Sequence, residues 1–355
     1  MGPELERREV DDGADLLASG EGGIAARHPR LAPLPAHVAP TLADGFNTLG
    51  FRVTPLACWR AHDMRFAFAS SFPRPDLRLE LQGLERLIAT HTLTVGGRSH
   101  APPLAVFGHA DPTGDDEFNK VLSGRRAQSV FALLTRDADI MESLFSHPHG
   151  DDVWGEPALQ TMLATAHPEH DTSAREEAAR RVRRDATARK VLFLAYADAL
   201  CVRRDGTPFR VARADFLDRD TDARAKGAVM GCSEFNPVMV FSEQEQREFA
   251  TPASKPKRDQ ENAGNRRVVI FLFRPGVKID VGAWPCPRAN EGSAGCRKRF
   301  WSDAKRRRAP AAERRLQEEV HDTFACRFYD RLSNRSPCER FLPRLVPFRY
   351  GLEVG

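Results

Sequence analysis

The sequence predicts an α+β fold: a mixed sheet with helices packed on one face, a mostly helical insertion, and an irregular, cysteine-rich tail. Three observations carry this. Strand-like and helix-like apolar periods alternate between residues 64 and 136, a continuous apolar run reappears at Val268 to Phe273, and the stretch between them has a charged, helical period.

Taken in order, Met64 to Ser70 alternates Phe66 and Phe68 with small or polar neighbours and reads as a half-buried strand that leaves through Ser71-Phe72-Pro73. A helix follows Pro75. Its Leu77, Leu81, Leu84 and Ile88 form one apolar stripe, which must lie on a sheet. Leu104 to Gly108 is a second strand, delivering His109, Ala110 and Asp111 to a turn. In the next helix Leu122, Arg126, Val130 and Leu134 share a face, so Arg126 emerges in line with core residues and Arg125 is left as the solvated one. Arg266 to Phe273 is the last core strand, introduced by Asn265-Arg266-Arg267.

The string from Gly108-His109-Ala110-Asp111 through Thr113, Gly114 and Asn119 to Leu122-Ser123-Gly124-Arg125-Arg126-Ala127 resembles the signature of the OmpA C-terminal (OmpA-like, OmpA/Pal/MotB-type) peptidoglycan-binding domain. The Gly falls three, the Asn eight and the Arg fifteen positions after Asp111, as in that family, and the Asn265-Arg266-Arg267-Val268 strand is similar to the one closing its domain. Ala110 departs from the usual Thr and removes a hydroxyl that could brace the turn. The resemblance covers residues 64 to 136 and 228 to 275. It implies a site for meso-diaminopimelate, whose free end carries an ammonium and a carboxylate on one carbon. Asp111 would accept from the ammonium, Arg126 would fork onto the carboxylate, and Asn119 would orient the loop or add a hydrogen bond, with Thr113, Gly108 and His109 completing the ligand-binding turn. Both charges are expected at the rim, free to meet across a groove.

The chain then divides into a flexible lead-in (1–45), the first part of the OmpA-like domain (46–136), an insertion (137–227), the second part of that domain (228–275) and a basic extension (276–355). The insertion occupies a surface connection, where added length costs little closure entropy. Its Leu159-Gln160 and Thr187 to Leu192 faintly resemble a small helical peptidoglycan-binding module of wall enzymes, and a purely structural subdomain is the alternative. Val191, Leu192, Leu194, Ala195 and Leu200 are placed to pack on the host, with Arg180, Arg181, Arg183 and Arg184 in water.

A net charge of +4 says little, but Arg297 to Arg315 holds nine Lys or Arg against Asp303 and Glu313. This is either a solvated face or a patch for phosphates, glycan acids or nucleic acid. Nucleic acid is the least favoured, since no fold or motif for it accompanies the charge. No run reaches the length of a membrane helix and Met1 to Asp12 contains no secretory signal, although the implied ligand places the protein in the cell envelope, in the periplasm or at the outer membrane, or makes it a secreted protein. Of seven cysteines, Cys286, Cys296, Cys326 and Cys338 lie in the tail. Disulfides are favoured there in an oxidising compartment, and zinc is the alternative. Cys58, Cys201 and Cys232 read as buried hydrophobes.

Catalytic constellations are weak. His147, His149, His167 and His170 near Asp151, Asp152 and Asp171 could ligate a metal but sit in proline-rich links, Cys326 with His321 is better explained by bridging, and Glu234 and Asp111 are too far apart in sequence to argue a glycosidase pair. The expectation is therefore a non-enzymatic peptidoglycan-binding protein without cofactor. The alternatives are a wall-targeted hydrolase or secreted effector whose insertion or tail cuts, and an envelope or secretion-system scaffold with a protein partner.

Overall fold

The computed structural model describes residues 39–41, 48–50, 55–62, 66, 69–217, 229–235, 237–276, 292–295 and 309–316. Its centre is a four-stranded mixed sheet. The chain enters through β1 (Pro55–His62), crosses by α1 (Leu77–His91) to β2 (Leu104–His109), and continues into α2 (Asp116–Thr135). Four insertion helices follow: α3 (Ala138–Ser146), α4 (Gly155–Ala166), α5 (Thr172–Val182) and α6 (Ala186–Leu200). The chain then returns through β3 (Val229–Gly231), the short β4 (Met239–Val240), α7 (Glu243–Glu248), α8 (Lys255–Glu261) and β5 (Arg267–Phe273). The strand order is β1-β5-β2-β3, with β2 and β3 parallel and the other pairs antiparallel.

The last of these four strands in sequence is thus central in the sheet. Its run of apolar residues is buried throughout, as a strand covered on both faces requires. Val268, Ile270 and Leu272 join Leu104 and Val106 in the core beneath the helices, while Phe107 and Phe271 of the opposite face meet edge to face at 5.9 Å and are just as buried.

The first strand lies earlier than its predicted place. Of Met64 to Ser70 the structure describes residues 66, 69 and 70: Phe66 makes an isolated bridge to Pro73 and Ala69 has a left-handed φ of 51°, so the predicted strand does not extend to Ser70. Phe66 and Phe72 are buried all the same, which explains the strand-like apolar pattern. Helix α1 follows Pro75 as expected, burying Leu77, Leu81 and Leu84, and the indole of Trp59 on β1 donates to Glu80 O at 2.6 Å.

Helix α2 is seated on two glycines. A Cβ on Gly108 would stand 1.9 Å from Ser123 O, and one on Gly231 would stand 2.5 Å from Lys120 O. Asp115 caps the helix by accepting from Glu117 N and Phe118 N. At the other end Arg136 takes the left-handed region (φ 55°), its side chain bonded to Leu133 O, Phe209 O and Asp198 Oδ1.

The insertion is not a separate globule. Phe193, Tyr196 and Leu200 of α6 and Leu159 and Met162 of α4 belong to the same core cluster as Leu104 and Ile270 of the sheet. Arg180, Arg181, Arg183 and Arg184 are exposed as expected, and Leu192 and Leu200 are buried. Val191 and Leu194 instead face outward, because α6 turns Phe193, Tyr196 and Ala197 toward the host. The tail is not wholly irregular: Arg315–Leu316 pairs antiparallel with β4, and Arg314 bridges Glu245 on α7 and Glu261 on α8, each at 2.8 Å. Cys286, Cys296, Cys326 and Cys338, and the basic residues 297–308, lie outside the described residues, as do Cys326 and His321 considered as a pair. No helix among the described residues is long and apolar enough to cross a membrane.

Candidate ligand-binding site

The candidate site forms where β2 ends and α2 begins. Because Gly108 lets the helix backbone lie against the strand, the Ala110 to Gly114 turn is pressed under the first two turns of α2. Asp111 Oδ1 accepts from Thr113 N at 2.9 Å, a side-chain turn of the kind Asp favours. Asn119, one helical turn above, donates from Nδ2 to Asp111 O at 3.2 Å, Thr113 O at 3.0 Å and Glu234 Oε2 at 2.6 Å. Its predicted role in orienting the loop has a direct counterpart in these bonds.

The carboxylate of Asp111 has a partner the sequence did not suggest. Arg266 Nη1 donates to Asp111 Oδ2 at 2.9 Å, and Arg266 Nη2 to Asp259 O at 2.6 Å. Asn262 Nδ2 reaches Thr113 Oγ1 at 3.2 Å, so the turn is bound to the segment before β5 at two points. Asn265 pins that segment to β4: its Oδ1 accepts from Val238 N and Met239 N, and its Nδ2 donates to Met239 O at 2.7 Å.

Arg126 belongs to a different cluster. Its Nε donates to Ser70 O at 2.9 Å and its guanidinium lies over the Phe66 ring, 5.5 Å from the centroid. The side chain is in line with Leu122, Val130 and Leu134, as the helical period predicts. Both charges depart from the predicted rim, however. Arg126 is 0% and Asp111 6% exposed, because α2 packs down on the sheet and the Ser70 loop closes over its middle turns.

Of the remaining expected residues, His109 is fully buried on the sheet face opposite α2, beside Arg267 in register, so it faces away from the turn. Gly108 serves close packing. Arg125, expected in solvent, donates to Asp152 Oδ2 at 2.5 Å and to Leu144 O and His147 O at 2.8 Å, which ties the insertion to α2. Asp152 in turn accepts from Ser70 Oγ at 3.1 Å, Ser71 N at 2.7 Å and Ser71 Oγ at 2.6 Å. The sequence marked it only as a possible metal ligand beside the histidines. Arg266 stands in the Asn265-Arg266-Arg267 string and Glu234 stood out only as an isolated carboxylate, yet their partners are 155 and 115 residues away and leave no local trace.

The histidines do not converge. His149 stacks on Phe118 (centroids 5.4 Å apart), while His167 stacks on His170 beside the exposed Glu169. No group of three or more His, Cys, Asp or Glu among the described residues is arranged to hold a metal ion. Cys201 and Cys232 are both buried, and burial pushes the Cys201 thiol up to about 11. Burial likewise raises the Tyr196 phenol well above its usual range; its hydroxyl donates to Pro73 O at 2.6 Å.

The site can therefore offer a carboxylate with lone pairs beyond its two described bonds and the amide that braces its turn, with a guanidinium in the neighbouring Ser70 and Phe66 cluster. Neither a protein-family model nor a curated protein nor a solved structure matches the chain.

Proposed function

We propose that the chain is a non-catalytic OmpA-like module of the cell envelope that binds the meso-diaminopimelate stem peptide of peptidoglycan. The observation that carries this reading is the burial of Asp111 and Arg126, two opposite charges at the motif spacing, on the turn and helix that Asn119 links. Burying an ion costs several kcal/mol, which Arg266 offsets in part at Asp111 and the Ser70 carbonyl at Arg126; a ligand that used both charges would add to what holds them there. Asp111 would take the ligand ammonium beside Arg266, and Arg126 the carboxylate. The polar groups of the turn are engaged as fixed donors and acceptors, an arrangement suited to holding a head group. Because Arg126 lies beneath the surface, the side chains above it must part for a carboxylate to reach it. Association slower than about 10⁵ M⁻¹s⁻¹ is then the expectation.

The test is co-sedimentation of the full chain with purified sacculi of the diaminopimelate type, with lysine-type peptidoglycan as control and free meso-diaminopimelate as competitor. Asp111→Asn and Arg126→Lys keep size while altering charge or fork geometry, and each should weaken binding at least about tenfold. A wild-type chain that stays in the supernatant, or two variants that bind as it does, would refute the reading.

A further inference from the structure

Arg126 grips one loop directly, and Arg125 grips the same loop through Asp152 of the insertion. The loop is Ser70 to Pro73, which follows Phe66. Arg126 Nε holds Ser70 O and its guanidinium covers Phe66. From the other side Asp152, a residue of the insertion that is fully buried, takes Ser70 Oγ, Ser71 N and Ser71 Oγ, and its remaining bond comes from Arg125 Nε. Trp154 Nε1 donates to Ser71 Oγ at 3.0 Å, Tyr196 donates to Pro73 O, and Phe72 lies between the rings of Trp154 and Tyr196 at 5.5 and 5.9 Å.

We infer that the insertion is a working part of the candidate site, with Asp152 the residue that positions Arg126 by fixing the Ser70 carbonyl. This rests on the binding role proposed above and assigns to the inserted segment the rigidity of its arginine. The chemistry favours a carboxylate at residue 152. Four donors converge on it, from a backbone amide, two hydroxyls and a guanidinium, and only an anion can accept from all of them without presenting a hydrogen of its own. An asparagine of the same volume would aim its NH₂ at one of those donors. The loop would give way at that point, and the Ser70 carbonyl would move with it. A guanidinium that must meet a planar carboxylate edge-on tolerates little such movement, so a shift of about 1 Å should cost roughly ten- to a hundredfold in affinity.

Two measurements on the full chain test this. In the first, Asp152→Asn and Ser71→Ala are combined with Arg126→Lys and, separately, with Asp111→Asn in double-mutant cycles read by sacculus co-sedimentation. Asp152→Asn should weaken binding about tenfold or more in the wild-type and Asp111→Asn backgrounds but scarcely further in Arg126→Lys. Equal fold-losses in all three backgrounds would reduce Asp152 to a general stabiliser and overturn the inference. In the second, made without ligand, the Arg126 Nε–H resonance is identified by its loss in Arg126→Lys. It should shift and exchange faster with solvent in Asp152→Asn or in the milder Ser71→Ala. An unchanged resonance in both variants overturns the inference whatever the sacculi show, whereas a moved resonance with no sacculus binding by the wild type refutes the binding role alone.

Discussion

Arg266 Nη1 and Asp111 Oδ2 meet at 2.9 Å, both side chains being under a tenth exposed, although 155 residues separate them in the chain. The pair fastens the turn after β2 to the start of β5 and so links the two halves of the sheet domain across the insertion. Arg266→Ala would leave a buried carboxylate without this partner, and about 3 kcal/mol of stability should be lost. The double variant Arg266→Ala/Asp111→Ala should recover part of that, since it removes the stranded charge. Urea unfolding midpoints decide it: a double variant that loses the sum of the two single losses would show that the pair has no such coupling.

Gly108 is required by the approach of α2, whereas Gly114 is required by its own backbone. A Cβ at Gly108 would lie 1.9 Å from Ser123 O, a backbone atom in mid-helix that cannot retreat without lifting α2 from the sheet. Gly114 has φ 99° with open space around it. Gly108→Ala should therefore cost more than about 3 kcal/mol and carry the Asp111 turn out of place, while Gly114→Ala should cost about 1 kcal/mol. Thermal unfolding of the two variants side by side checks the order; equal losses would contradict the close seating of the helix.

What the sequence revealed and what it concealed follow from the range of each interaction. The stripe Leu77, Leu81, Leu84 and the run Val268 to Phe273 were legible because each is a local period that burial imposes directly. So was the inward face of Arg126, through its register with Leu122 and Val130. The strand at Pro55 to His62 is hard to read because it has no clean alternation, whereas the buried Phe66, which makes an isolated bridge, gives its own segment a strand-like look. The site was half legible. Asp111, Asn119 and the turn could be found through the resemblance of their string to the OmpA-like signature, but Arg266 and Glu234 engage them, and Asp152 engages Arg125, through contacts that no period encodes. Arg125 was assigned to solvent for the same reason: its acceptor arrives with an insertion that the helix pattern cannot foresee.

Cys201 is a test of burial at the end of α6. It is fully enclosed, its Sγ lies 3.7 Å from Leu133 O, and loss of hydration pushes the thiol up to about 11, a rise that nearby Arg136 only partly offsets. At pH 8 about a thousandth of such thiols would be ionised, against roughly a quarter of ordinary ones. Alkylation of the native chain followed by peptide mapping should leave Cys201 unmodified until denaturant is added. Labelling of Cys201 in the native state at the rate of the unfolded chain would show that the α6 end opens readily.

The clasp between α3 and α6 should make the insertion acid-sensitive. Arg189 meets Glu142 through two parallel bonds, Nε to Oε2 at 2.9 Å and Nη2 to Oε1 at 2.6 Å, with its guanidinium 5.0 Å from the Phe145 ring centre. Burial pushes the Glu142 carboxyl up, but the bonds from Arg189 and Ser146 outweigh it and hold the group below its usual value. A carboxyl lowered on folding contributes stability that is present above its unfolded pKa, near 4.3, and is lost as pH falls through the folded value. Glu142→Gln should accordingly cost about 1–2 kcal/mol at pH 7, with the gap from wild type narrowing below about pH 4. Urea titrations at pH 7 and pH 3.5 measure both gaps. A gap of the same size at the two pH values would mean that the charge on Glu142 adds nothing to what Lys190–Asp139 and the packing of Phe145 on Phe193 already supply.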